Sequence, residues 1–370
     1  MKIAILGTKG IPNNYGGFEQ FAEYLSVALA SRGHQVTVYN PSFHPYSQNE
    51  FRGVQIQKIY NPEKLIGGAA NFIYDHLSLR HALRQNFDVI YEAGYHSMAL
   101  SYKIYGVRKM KRPVILTNMD GIEWKRSKWS GPVRSLIRRL EKIAVKESPY
   151  LVSDNPGIRE YYLREFNRDS FFIPYGADAV YNFDEKYLNR HGVSPGNYMM
   201  LIARMEPENN IETILQSYVD AGIGIPFIVV GGHDNNYGSM VFQKYSSAVR
   251  FVGGIYDKAE LDSMRHYSKA YLHGHSVGGT NPSLLEAMAN RCFIVAHENP
   301  FNKGVLGSEA VYFSSRDELT AQFRNMDELI KKFHSYKDAN FRKIEEQYSW
   351  ESVTTAHIDV FNKLLLGPEV

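Results

Sequence analysis

The 370-residue chain is expected to be an α/β protein of two doubly wound halves facing across a cleft. Three observations carry this expectation. Lys2–Gly7 is an apolar run ending in glycine; it leads through a glycine-rich loop and an amphipathic helix into a second apolar run, Gln35–Tyr39. That is the βαβ start of a parallel sheet with helices on both faces. A second alternation of strand and helix begins at Tyr198, and the polar stretch Asn182–Asn197, ending Ser-Pro-Gly-Asn, separates the two series.

In chain order, the loop Thr8–Gly17 holds Gly10, Pro12, Gly16 and Gly17, and Phe18, Phe21, Ala22, Leu25, Ala28 and Leu29 then recur at helical spacing. The loop lacks the G-x-G-x-x-G spacing of a dinucleotide fold, and no acidic residue ends the second strand at Tyr39 or Asn40, which argues against a dehydrogenase. Further strands are expected at Val54–Tyr60, Asp88–Tyr91, Val114–Thr117, Tyr150–Ser153 and Ser170–Pro174, with helices at about 69–85, 132–147 and 156–166. The second series runs Tyr198–Ala203, a helix at 209–220, Phe227–Gly231, a helix near 239–246, Val249–Val252, a helix at 258–267, Ala270–His273, a helix around Glu286 and Phe293–Ala296. One or two helices in Tyr348–Leu366 are free to pack back on the first half, giving domains of 1–182 with 348–370, and 183–347.

Composition narrows the class. With 44% hydrophobic and 22% charged residues the chain reads as globular with ample core, and its length favours two domains. A single cysteine, Cys292, excludes a disulfide framework and suits a reducing cytoplasm. No signal peptide and no membrane span is expected, since no stretch approaches about 18 apolar residues.

The stretch His273–Ala289 carries the sharpest chemistry. Gly278 and Gly279 precede Thr280, Asn281 as a helix N-cap, Pro282 in the first turn, and a helical run from Ser283. Free amides and the positive end of a helix dipole would suit phosphate or sugar oxygens. Glu286 is the one charge in Leu284–Ala289, so it needs a partner, and a pair of ligand hydroxyls would serve. The alternative is a glycine turn that only starts a helix, with Glu286 at its wet edge.

Several landmarks agree in order: Gly16-Gly17-Phe18-Glu19, Gly33–Val38, Ile173–Asp178, Ala203–Asn210, Asn281–Ala289 and Tyr348-Ser349-Trp350. Together they resemble family 4 of the retaining GT-B glycosyltransferases over nearly the whole chain. Asp120-Gly121-Ile122-Glu123-Trp124 and its continuation to Trp129 look most like bacterial polysaccharide rhamnosyltransferases. The resemblance implies a GT-B fold of two Rossmann-like domains, with a nucleotide-diphosphate sugar on the C-terminal half and a saccharide or lipid-linked oligosaccharide acceptor on the N-terminal half. It implies that Glu286 holds the nucleotide ribose and that Arg204 grips the diphosphate. Gly16, Gly17, Asn209, Gly278, Gly279, Thr280, Asn281 and Ser283 complete the donor site it implies. Asn209 stands where the family usually has lysine, and Gly278 where it has the first of two glutamates. Arg204 and the glycine-loop amides would then carry more of the donor.

On the acceptor side Asp120 follows the strand Val114–Thr117, where the family often has histidine. It is placed to take or orient the acceptor's proton, or simply to cap a turn. His96, after another strand, faces the cleft edge or is structural; Glu123 and Trp124 shape the acceptor pocket, or Trp124 is core. No Asp-x-Asp pair and no His/Cys cluster suggests a metal, so no metal or cofactor is expected. Same-face attack, with the departing phosphate drawing off the acceptor proton, is what the resemblance implies for retention.

The run 124–146 carries Lys125, Arg126, Lys128, Arg134, Arg138, Arg139, Lys142 and Lys146 against Glu141 alone. With Trp129, Val133, Leu136, Ile137 and Leu140 interleaved, it is either an anionic-membrane surface or a solvated basic face. The expected location is therefore the cytoplasm, at or near the inner face of the cell membrane. No nucleic-acid-binding motif accompanies the charge. A nucleotide-sugar epimerase and a non-catalytic nucleotide-sugar sensor are the rival functions.

Overall fold

A computed structural model of the chain describes residues 1–14, 16–119, 121–127 and 129–367. It divides into two compact units: Met1–Trp124, Trp129–Tyr175 and Trp350–Val370 form the first, Lys125–Lys128 and Gly176–Ser349 the second.

The first unit is built on strands β1 (Lys2–Leu6), β2 (Gln35–Pro41), β3 (Glu50–Phe51), β4 (Val54–Ile59), β5 (Val89–Glu92), β6 (Val114–Asn118), β7 (Tyr150–Ser153) and β8 (Phe171–Phe172). Their order is β3-β4-β2-β1-β5-β6-β7-β8, parallel throughout except for the β3–β4 edge hairpin. β1 lies at the centre, with Ile3 opposite Val36 on one side and Val89 on the other. Ile3, Ala4, Ile5 and Leu6 are buried, as a parallel strand covered on both faces requires. The strand order reverses about β1, so the loops after β1 and β5 flank the crevice where open α/β sheets bind ligands.

The second unit holds β9 (Met199–Ile202), β10 (Phe227–Val230), β11 (Arg250–Phe251), β12 (Ala270–His273), β13 (Ile294–His297) and β14 (Val311–Phe313), in the order β11-β10-β9-β12-β13-β14. All its pairs are parallel. Here the switch falls between β9 and β12, and the loops that leave those two strands are 203–210 and 274–281.

Short elements depart from expectation. The strand expected over Ser170–Pro174 shrinks to Phe171–Phe172, because it is a sheet edge pairing only at Val152 and Ser153 and proline cannot continue a ladder. Helix Ala99–Tyr105 was not foreseen: its Leu100 and Ile104 face solvent, so no apolar stripe marks it. After β13 the chain adds helix Pro300–Leu306, β14, and helices Arg316–Arg324, Met326–Lys332 and Tyr336–Lys343, also unforeseen. A three-residue strand has no period to read. The helix caps are of ordinary residue types: Asn299 accepts from Phe301 N and Asn302 N, Ser315 Oγ accepts from Glu318 N, and the Glu318 carboxylate accepts from Ser314 N just before the cap.

Helix Trp350–Leu366 completes the first unit. Trp350 stacks on Tyr24 at 4.5 Å, Arg32 donates to Thr355 Oγ1 at 2.9 Å, and Arg112 donates to Leu365 O at 2.6 Å. His357 lies among the rings of Phe21, Tyr91 and Phe361, its Nδ1 bonded to Val353 O at 2.8 Å. Burial depresses its pKa to about 4. Between that value and the ordinary 6.5 the unfolded chain takes the proton and the folded chain does not, so this residue costs stability as pH falls through that window. Replacing it with phenylalanine should therefore shift the variant-minus-parent stability by about 2 kcal/mol in the variant's favour between pH 7.5 and pH 5. Thermal melts at the two pH values check this, and an unchanged gap would sink it.

Candidate functional site

The loops at the β9–β12 switch are tied to each other before any ligand arrives. Asn210 Nδ2 donates to Gly274 O at 2.8 Å, and Ser276 N and Oγ both donate to Glu208 O, at 3.0 and 2.7 Å. Gly274 is needed for this approach, since a Cβ there would stand 2.1 Å from Asn209 O. Asn209 is buried and its Nδ2 donates to Arg204 O at 2.8 Å, so its amide holds the turn that presents Arg204. The Arg204 side chain itself is exposed.

Beyond Ser276 the loop opens. Gly278 has φ +134°, a conformation that favours glycine. Among the described residues, no hydrogen-bond acceptor meets the amides of Gly278 or Gly279. Thr280 is buried. Asn281 caps helix Pro282–Ala289, its side chain accepting from Ser283 N at 2.9 Å, and Pro282 occupies the first turn. The Ser283 hydroxyl shares a hydrogen bond with Tyr271 at 2.5 Å. Arg204, the open amides and the N-terminus of this helix thus leave the same switch point, where the 203–210 loop also carries Glu206 and Glu208.

Glu286 lies one turn into that helix, and its partner is Arg265. The Arg265 guanidinium donates to Glu286 Oε2 and lies 3.5 Å from Asp262. Burial works against the Arg265 charge, but Glu286 and the neighbouring anionic groups outweigh it and hold its pKa above the ordinary arginine value. The Arg265 side chain is 2% exposed while that of Glu286 is 30% exposed. The pair is anchored from inside, and its carboxylate end reaches the surface. Sequence reasoning asked for a partner to Glu286 and missed this one, because an arginine in the last turn of an ordinary amphipathic helix carries no sign of its direction.

Two histidines were also missed. His273 ends β12 fully buried, and His275 stacks on it at 4.5 Å. Burial, then the charges of Arg204 and Arg126, depress the His275 pKa to about 3, so its ring is neutral at physiological pH. Its Nδ1 is buried and meets no partner among the described residues.

In the first unit, Gly16 is the extended N-cap of helix Gly17–Ser31. Glu19 accepts from Lys9 N at 2.8 Å and Glu23 from Asn13 N at 2.6 Å, so carboxylates of the helix pin the loop in front of it. His96 follows β5 with its ring against Tyr95, and Tyr95 OH reaches Gly121 O at 3.4 Å, which brings the loops after β5 and β6 side by side. Glu123 accepts from Trp129 Nε1 at 3.0 Å. Trp124 donates to Tyr161 OH at 3.3 Å, and the Arg138 guanidinium covers its ring at 4.8 Å. Asp120 lies outside the described residues, as does Lys128 of the basic run.

The basic helix, Gly131–Glu147, turns most of its apolar residues inward. Ile137, Leu140, Ala144 and Val145 are core, and Glu141 is buried where Tyr161 and Tyr162 donate to it at 3.0 and 3.1 Å. Arg138, Arg139, Lys142 and Lys146 stay outside with Leu136, and the helix packs on Ala99–Tyr105, whose Leu100 and Ile104 are also exposed. Among the described residues no helix is long and apolar enough to cross a membrane, and no three His, Cys, Asp or Glu side chains gather as metal ligands.

A family model described as a domain of unknown function, DUF1972, matches residues 1–178. No curated protein matches the sequence. Among solved structures the chain is similar to sucrose-phosphate synthase from Thermosynechococcus elongatus, with TM-score 0.78 and 14% identity over 99% of each chain. It is similar to HepE of Anabaena in complex with UDP and glucose, with TM-score 0.73 and 14% identity over 98% of this chain and 99% of that one. Trehalose-6-phosphate synthase OtsA aligns with TM-score 0.73 and 11% identity over 98% and 99%. The fold is that of the GT-B glycosyltransferases, two parallel α/β domains.

Proposed function

We propose that a chain with this fold transfers a sugar from a nucleotide-diphosphate donor to a saccharide hydroxyl, as a retaining transferase of family 4. The observation that carries the proposal is the switch point of the second unit. Arg204, the open amides of Gly278 and Gly279, and the Glu286 carboxylate anchored on Arg265 make one site for an anion next to a diol. HepE, which shares the fold, has been crystallised with UDP and with UDP-glucose, and that supports a nucleotide-sugar donor.

Breaking a glycosyl–phosphate bond leaves charge on the departing diphosphate. The loop amides are donors fixed in advance, and Arg204 stands on a turn held by Asn209, so both are at hand to stabilise that charge. Glu286 Oε1, the oxygen outside the Arg265 pair, accepts from ribose hydroxyls. Gly16, Gly17, Asn209, Thr280, Asn281 and Ser283 shape the donor site through backbone and caps. The neutral ring of His275 adds no competing charge. In this reading the phosphate takes the acceptor proton on the face it leaves, and the reaction needs no metal.

On the acceptor side, Asp120 orients the attacking hydroxyl whose proton the departing phosphate takes, and His96 and Glu123 line the pocket. Trp124, fixed by Tyr161 and Arg138, supports the pocket wall. Asp120→Asn should leave donor binding intact and lower turnover by about 10²-fold or more. Equal turnover would remove Asp120 from the mechanism. The donor we propose is dTDP-rhamnose and the acceptor a lipid-linked saccharide of bacterial surface polysaccharide. The basic face of helix Gly131–Glu147, with the exposed Leu100, Ile104 and Leu136, supports contact with an anionic membrane.

The test is a donor screen in EDTA, following nucleotide release with and without a lipid-linked disaccharide. Acceptor-dependent release from dTDP-rhamnose is expected. Release from UDP-glucose instead would keep the transferase and sink the sugar. Donor turnover at the same rate without acceptor would favour an epimerase or hydrolase, and tight binding with no turnover a sensor.

A further inference from the structure

Residues 125–127, flanked by segments of the first unit, belong to the second unit. One contact explains the attachment: the Ser127 hydroxyl donates to the Glu208 carboxylate. Glu208 is also the residue whose carbonyl takes both donors of Ser276. The segment carrying Arg126 is therefore fastened to the two loops that present Arg204 and the open glycine amides. Arg126 is half-buried, with Nε enclosed, rather than extended into water as a solvated lysine or arginine would be.

We propose that Arg126 is a second guanidinium of the donor site, which binds the diphosphate beside Arg204. The proposal rests on the donor site argued above. Both arginines act on the ring of His275, which places their charges in one neighbourhood, three residues before Gly278. Burial and that double positive field keep His275 uncharged. Glu208, the carboxylate bonded to the segment, accepts from Ser127 and so positions the loop. Two guanidinium groups, a neutral imidazole and free backbone amides make a site for a polyanion. A diphosphate, with oxygens on two phosphorus atoms, offers one fork-shaped contact to each arginine. A monophosphate, with three terminal oxygens on one phosphorus, must share them between two forks and engages the pair less fully.

The experiment measures affinities of UDP, dTDP, UMP and dTMP for the full chain, for Arg126→Gln and Arg126→Lys, and for Arg204→Gln. Arg126→Gln should weaken the diphosphates by about tenfold or more and the monophosphates by less, so that the diphosphate-to-monophosphate preference falls. Arg126→Lys should recover part of the loss. Parent-like affinities in Arg126→Gln, with the diphosphates lost in Arg204→Gln, would overturn the role of Arg126 and leave the donor site standing. An equal loss of both nucleotide classes accompanied by a lower melting temperature would overturn it too, as an effect of folding. No nucleotide binding in the parent, or none changed by either arginine, would remove the donor site and Arg126 with it.

Discussion

Arg204→Ala is expected to lower turnover by about 10²–10³-fold at saturating donor. The side chain is exposed and, among the described residues, donates to no protein group, so folding should be spared. What is lost is a positive fork for charge that appears only as the glycosyl–phosphate bond breaks, and such donors act on kcat more than on KM. The measurement is steady-state turnover with the best donor of the screen, alongside donor affinity and a thermal melt. A parent-like kcat with weakened binding would mean that Arg204 only holds the donor. A parent-like value of both would mean that it does neither.

Arg265→Ala is expected to destabilise the second unit by about 3 kcal/mol and to weaken nucleotide binding together with it. Removing a buried guanidinium strands Glu286, whose carboxylate was aimed by it, and leaves a cavity the size of an arginine. Asp262 is less exposed to the loss, because Asn290 Nδ2 donates to it at 2.9 Å and Lys258 lies 2.6 Å away. The value lies at the low end for a broken buried pair because Glu286 keeps contact with water. Chemical unfolding should show the loss in the transition of the second unit alone. Arg265→Met combined with Glu286→Gln, which removes both charges, should recover much of the stability without restoring nucleotide binding. Stability that fell equally in the single and double variants would show that packing rather than charge is at stake.

The strands and long helices were legible because their signal is local. β1 carries the apolar run Ile3–Leu6, helix Gly17–Ser31 carries its apolar residues at helical spacing, and the Asn281 cap with Pro282 marks a helix start without tertiary knowledge. The donor loop was legible to the extent that Gly278 and Asn281 are turn and cap chemistry. What supports that loop was not. Arg265 meets Glu286 from another helix, Ser127 meets Glu208 across 81 residues of sequence, and Asn209 spends its amide on a backbone carbonyl. Each depends on which face of an element points inward, and residue type alone does not encode that. The basic run shows the same limit: its sequence fits an anionic-membrane surface or a solvated basic face on an ordinary helix equally well, and only the fold shows that Ile137 and Leu140 are core and that Glu141 is buried with them.

Helix Trp350–Leu366 packs into the first unit although the whole of Gly176–Ser349 intervenes. On the ribosome the first sheet therefore emerges with Phe21 and Tyr91 uncovered, and must wait while the second unit is made before its closing helix arrives. A nascent chain in that interval shows sticky aromatic surface that the finished protein hides. Release from such a stalled intermediate, with and without the last helix, would tell a chaperone's client from a self-sufficient folder.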